Sequence, residues 1–161
     1  MHDTTVVRRR RNPDATRRLI CRGFCGGGAA SYLEWDDKIG PENELAAICY
    51  PGREGRFTDE FAENWDELVA DTTEAVLSAT DIPYVLFGHS MGGWMAFDVT
   101  AGIERAGKRP PEALVVFSAN APSRGLTERD MLPGGHFYTP ETWQKLPTFI
   151  ESLNAAQPAT P

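Results

Sequence analysis

The feature that most constrains this chain is the run Phe87-Gly88-His89-Ser90-Met91-Gly92-Gly93, placed between an apolar stretch and a helical one. Residues 83–87 read as a buried strand. Residues 91–106 read as a helix that closes at Gly107, a residue suited to a helix C-cap. A strand that becomes a helix within one or two residues forces the corner residue into a tight, strained turn. Glycines at 88 and 92 leave room where side chains would collide with that turn. The serine at the corner projects above the sheet, and the amino end of the helix behind it favours developing negative charge.

The remaining pattern repeats this alternation. Residues 19–24 form a short apolar run that ends in Gly26-Gly27-Gly28, a strand entering a glycine-rich loop. Residues 29–39 are expected to be helical with Trp35 facing inward. Residues 45–50 are a second buried strand, stopped by Pro51-Gly52. Thr58 suits a helix N-cap, and Phe61, Trp65, Leu68, Val69, Thr72, Val76 and Leu77 recur at three- and four-residue spacing over 61–79. Residues 113–117 are a fourth strand, and 4–8 suit an edge strand. Residues 120–135 read as loop, with a short strand near 129–132, and 140–153 as a last helix; either that helix or a partner chain is expected to cover the sheet edge. The alternation predicts an α/β fold, a mostly parallel sheet flanked by helices. The expected division is a basic arm at 1–18, the domain at 19–154 and a loose tail at 155–161.

Composition narrows the function classes. A chain of 161 residues with 41% hydrophobic and 24% charged content reads as one globular domain. No apolar run approaches the roughly 20 residues of a membrane span, and the basic N-terminus lacks the apolar core of a secretory signal. The expected compartment is the cytoplasm. Cys21, Cys25 and Cys49 form no CxxC pair, so a disulfide scaffold or zinc site is not expected. Seven arginines within residues 1–22 face only Asp3 and Asp14, although the whole chain carries −7. Such an arm suits an acidic protein partner, but no aromatic residue is interleaved with the arginines, which argues against nucleic acid.

The corner serine also dictates what should surround it. A hydroxyl is a weak nucleophile at its ordinary pKa and requires a base. Of three histidines, His2 is terminal and His89 adjoins Ser90, where neighbouring side chains point apart. His136, preceded by Gly134-Gly135, is the expected base. An oxyanion site requires two backbone N–H donors. Met91, the residue after the nucleophile, supplies one, and Cys25 in the glycine-rich loop is the choice for the other.

Four segments then resemble a known family. They are the run from Leu19 to Gly28 with the later Trp35, Tyr50-Pro51-Gly52-Arg53-Glu54-Gly55-Arg56, the Ser90 run, and Pro133-Gly134-Gly135-His136-Phe137. In this order they resemble the type II thioesterases, the stand-alone editing enzymes of polyketide and nonribosomal peptide assembly lines, of the α/β-hydrolase superfamily. The resemblance implies hydrolysis of acyl groups from the phosphopantetheine arm of an acyl or peptidyl carrier protein, without metal or redox cofactor. This chain departs from the family at Arg22 and Gly23, where an aromatic and a proline are usual, and at Cys25, where alanine is usual. It also departs in length. The family carries a helical lid and an acid-bearing strand before the histidine, whereas only residues 118–135 connect Phe117 to His136.

A shortened α/β-hydrolase fold with a minimal lid is therefore expected. Losing the acid that orients the histidine costs about 10⁴ in kcat, or roughly 5.4 kcal/mol. Asp130, six residues before His136, is the substitute that a turn at Pro133-Gly134 would bring near; Glu128 is the next candidate. Asp98 lies about 12 Å along the helix from Ser90, and Asp81 lies at the opposite end of the sheet. Two further readings share this sequence: a non-catalytic binder of carrier proteins, and an esterase or acyl cyclase on the same fold.

Overall fold

The computed structural model describes residues 5–23, 27–117, 119, 147–148 and 150–151. Five strands form one sheet in the order β1-β3-β2-β4-β5: β1 (Val6–Val7), β2 (Arg17–Arg22), β3 (Asn43–Ile48), β4 (Tyr84–His89) and β5 (Ala113–Phe117). Only β1 runs antiparallel, against β3. The other pairings are parallel. The helices are α1 (Ala30–Leu33), continued by a 3-10 turn over Glu34–Asp37, α2 (Trp65–Leu77) and α3 (Met91–Arg105).

Burial on both faces explains the near-continuous apolar runs of the parallel strands. Alternate residues of β2, β3 and β4 serve opposite sides. Ile20, Ala46, Ile48 and Leu86 pack with Ala75, Val76, Met95, Val99 and Ile103 of α2 and α3. Leu19, Cys21, Leu45, Val85 and Phe87 pack with Tyr32 and Trp35, where the rings meet edge to face at 5.2 to 5.9 Å. Trp35 faces inward as its pattern indicated. Ile150 joins this second cluster, and Glu151 Oε1 accepts the Gly40 N–H and the Asn43 side-chain amide. Residues 147, 148, 150 and 151 have helical backbone within the expected last helix. The calls on residues 120–135 lie outside the described residues.

One expectation is corrected. The second helix starts at Trp65, not near Phe61. Asn64 accepts the Glu67 N–H at 2.9 Å, while the Glu67 carboxylate accepts the Glu63 N–H at 2.9 Å. This reciprocal cap outcompetes Thr58 because it satisfies donors at both sides of the helix start. Phe61, counted on the buried face by its spacing, is 67% exposed and lies over Gly52 instead.

The arginine-rich segment is docked against the body where it is described. Arg8 pairs with Glu44, Arg9 with Asp37, Arg10 with Asp36 and Asp37, and Arg17 with Glu112. Arg18 reaches Glu44, Asp81 and the Ala79 carbonyl. The exposed pairs contribute little; the buried Arg18–Glu44 pair is geometrically committed, since breaking one side would strand a charge. Among the described residues, no helix is long and apolar enough to cross a membrane.

Arg22 is the exception. It is wholly buried, and none of its three guanidinium nitrogens has a hydrogen-bond partner among the described residues. Burial pushes its pKa down to about 10, so it remains cationic at neutral pH. A buried charge with no hydrogen-bond partner among the described residues opposes folding, and an apolar side chain of similar length removes the penalty. Arg22→Met should therefore stabilise the chain by about 2 kcal/mol. Denaturant melts at neutral pH check this, and an unchanged or lowered midpoint contradicts it.

Candidate active site

The strand order creates a switch point between β2 and β4. The chain leaves β2 through α1 to β3 on one side, and leaves β4 through α3 to β5 on the other. Ligands of open parallel sheets bind where such connections diverge, beyond the carboxyl ends of the strands. Arg22 pairs in register with Gly88, so the exit of β2 lies beside the exit of β4.

Ser90 occupies that exit with φ +57° and ψ −125°, one of two non-glycine residues with positive φ among those described. This is the strained corner that the glycine spacing predicted, at a typical cost of about 1–3 kcal/mol. Its N–H donates to the Phe117 carbonyl at 2.8 Å, and its own carbonyl accepts the Gly93 N–H at 2.8 Å. A Cβ on Gly88 would lie 2.0 Å from the Gly92 oxygen. A Cβ on Gly92 would lie 2.8 Å from the Gly23 oxygen and 2.9 Å from that of Arg22. Both glycines are thus required by close backbone approach. Met91 is the first residue of α3, so its N–H belongs to the helix donors without an intrahelical acceptor.

The polar frame around β2 is made by side chains far apart in sequence. The Tyr32 hydroxyl donates to the Arg22 carbonyl at 2.6 Å, and the Tyr50 hydroxyl donates to the Gly23 carbonyl at 3.2 Å. Burial pushes the Tyr50 hydroxyl well above its usual pKa, which keeps it a donor. Beyond the glycine run, the N–H groups of Ala29 and Ala30 donate to the Glu54 carboxylate at 2.9 and 3.1 Å.

Glu54 belongs to the Pro-Gly-Arg-Glu-Gly-Arg segment, whose last residue anchors it. Arg56 binds Asp71 through both terminal nitrogens at 2.8 and 2.7 Å, Asp59 through Nε at 2.7 Å and the Cys49 carbonyl at 3.1 Å. The bonds to Asp71 lead in raising its pKa further above the usual guanidinium range. The sequence identified this segment by resemblance alone; that it pins α2 and the glycine run was not legible there.

Of the expected site residues, Ser90 and Met91 lie together at the switch point. Cys25, Asp130 and His136 lie outside the described residues, and so does Glu128. His89 is buried at the end of β4. Asp98 accepts the Trp65 indole N–H at 2.7 Å, so it is committed to helix packing. Asp81 sits at the amino end of the strands with Arg18. Cys21 and Cys49 are buried thiols whose pKa burial raises, which makes them poor nucleophiles. No cluster of metal-ligating side chains occurs among the described residues.

The thioesterase domain family matches residues 17–131. This chain belongs to the thioesterase family. The gramicidin S biosynthesis protein GrsT of Aneurinibacillus migulanus is 31% identical over 128 residues, covering 78% of this chain and 50% of that protein. The medium-chain S-acyl fatty acid synthase thioesterase of Homo sapiens is 32% identical over 112 residues, covering 69% and 42%. The solved type II thioesterase BorB from the borrelidin biosynthetic cluster superposes with a TM-score of 0.71 at 30% identity, covering 94% of this chain and 62% of BorB. The fold is a shortened α/β-hydrolase fold, as the sequence indicated. The chain spans about half the length of the curated relatives it matches.

The backbone contacts at the elbow set a graded expectation. Gly88→Ala forces a Cβ into the Gly92 backbone and should destabilise the chain by at least about 2 kcal/mol. Gly107→Ala, at φ +63° with nothing within 4 Å, should cost only about 1 kcal/mol. Urea denaturation of the two variants checks the order.

Proposed function

We propose that this thioesterase is a serine hydrolase that removes acyl groups from the phosphopantetheine arm of acyl or peptidyl carrier proteins. The observation that carries the proposal is Ser90 at φ +57° on the strand-to-helix corner, at the sheet's switch point, in a thioesterase-family chain. The relatives' biosynthetic names support the substrate class: gramicidin S for GrsT and borrelidin for BorB.

In this reading Ser90 Oγ attacks the thioester carbonyl carbon while His136 accepts the hydroxyl proton. The tetrahedral oxyanion is met by the N–H groups of Met91 and Cys25. Its collapse breaks the C–S bond, and the imidazolium returns the proton to the leaving thiolate. Water, deprotonated by His136, then attacks the Ser90 ester and releases the acid. Asp130 orients the imidazole. No metal or redox group takes part. With only residues 118–135 between Phe117 and His136, little chain is left for a lid, which suits slow turnover of varied acyl groups. Cytoplasmic action alongside the carrier proteins belongs to the same proposal.

One competing reading is a carrier-protein binder without turnover. Hydrolysis of a short acyl thioester of N-acetylcysteamine separates the two. Ser90→Ala should lower kcat by at least about 10³-fold, and His136→Ala comparably. Wild type and Ser90→Ala hydrolysing at equal rates would remove Ser90 as nucleophile; carrier binding without any turnover would establish the competing reading.

A further inference from the structure

We infer that Glu54 is a positioning residue for the Ser90 site: it pins Ala29 and Ala30 at the exit of the glycine-rich loop, whose entry abuts the elbow. The inference rests on the Ser90 reading above. It starts from a missing cap. The N-cap of helix α1 is Ala29, whose side chain has no acceptor to offer the first N–H groups. The Glu54 carboxylate supplies it from 25 residues away, taking the N–H groups of Ala29 and Ala30.

Three further observations show that this contact is built. Glu54 holds φ +42°, a left-handed conformation that disfavours any residue with a Cβ. Glycine at position 54 would adopt that backbone without cost, yet the carboxylate is what the loop uses. Gly28 makes the approach possible, since a Cβ there would lie 2.1 Å from Glu54 Oε1. Arg56, two residues on, locks the segment to Asp71 and the Cys49 carbonyl, so the carboxylate stands on a fixed post.

The other end of the loop is fixed independently. Tyr32 and Tyr50 hold the carbonyls of Arg22 and Gly23, and Gly92 of α3 abuts the same two oxygens. A Cβ on Gly23 would also lie 2.9 Å from the Gly27 oxygen, so the two ends of the loop lie close together. The entry is therefore tied to the elbow, and the exit is tied to Glu54. Releasing Ala29 and Ala30 loosens the backbone beside the elbow, and misplacement there costs transition-state stabilisation more than substrate binding. Glu54 is itself exposed, so replacing it leaves both cores intact.

The test compares Glu54→Gly and Glu54→Gln with wild type. Glu54→Gly relieves the backbone strain but removes the carboxylate; Glu54→Gln retains an acceptor oxygen. Asn64→Ala, which removes the remote α2 cap, controls for general destabilisation. Phosphonylation of Ser90 by a fluorophosphonate, thioester kcat and KM, and hydrogen exchange at Ala29 and Ala30 are measured on the full chain. We expect Glu54→Gly to lower the phosphonylation rate and kcat by about 10–100-fold, with KM within threefold. Exchange at Ala29 and Ala30 should quicken by tenfold or more. Glu54→Gln should fall between, and Asn64→Ala should match wild type in labelling. Wild-type labelling at Ser90 with Glu54→Gly within twofold of it overturns the role of Glu54. Wild type that does not label overturns the Ser90 reading instead. Exchange then still decides Glu54: unchanged rates reject the pinning, and quickened rates uphold it.

Discussion

The approach of α3 to the end of β2 is the constraint on which the rest of the site depends. Gly92 abuts the carbonyls of Arg22 and Gly23 at distances that leave no space for a Cβ. Those two carbonyls also receive the Tyr32 and Tyr50 hydroxyls. One short stretch of backbone therefore sets the start of α3, the side chain after α1 begins and the residue that ends β3's exit. Given this contact, β4 has no room for a gradual turn into α3. Ser90 must turn the corner alone, and its φ of +57° is the consequence.

Charge is arranged unevenly along the sheet. Arg18, Glu44 and Asp81 join the amino ends of β2, β3 and the approach to β4, remote from the elbow. The pull of Arg18 holds the Asp81 carboxyl below its usual range, as expected of a committed pair. At the carboxyl ends the described polar frame consists mainly of hydroxyls and backbone amides. Two costs fall there as well: the backbone strain at Ser90 and the buried cation of Arg22, which has no hydrogen-bond partner among the described residues. Such costs collect where a structure is shaped for something other than stability.

Much of the fold was legible because the relevant signals are local. The parallel strands, Trp35 facing inward, Gly107 as the α3 terminus and the elbow glycines each follow from a few adjacent residues. Ser90 was legible for the same reason. The start of α2 was misplaced because Phe61 continues the helical spacing by coincidence, while its ring is used over Gly52. The roles of Tyr32, Tyr50 and Glu54 were not legible. Each acts on a carbonyl or amide distant in sequence, and no spacing rule links position 54 to positions 29 and 30. Arg22 stood out in the sequence only as a departure; its complete burial was a tertiary fact.

Strand β5 shows how the described frame holds the strained corner at Ser90. Phe117 pairs with His89, and its carbonyl takes the Ser90 N–H, so the β4–β5 ladder extends to the corner itself. Val116 closes the other side, since a Cβ on Gly93 would lie 2.6 Å from its Cγ1. Without β5, the Ser90 N–H would lose its acceptor and the first turn of α3 its outer wall. Ala119 adds to that wall, since the same Cβ would lie 3.1 Å from its Cβ. Among the described residues, the strain at Ser90 is thus carried by the ends of β2, β4 and β5 and by the first turn of α3.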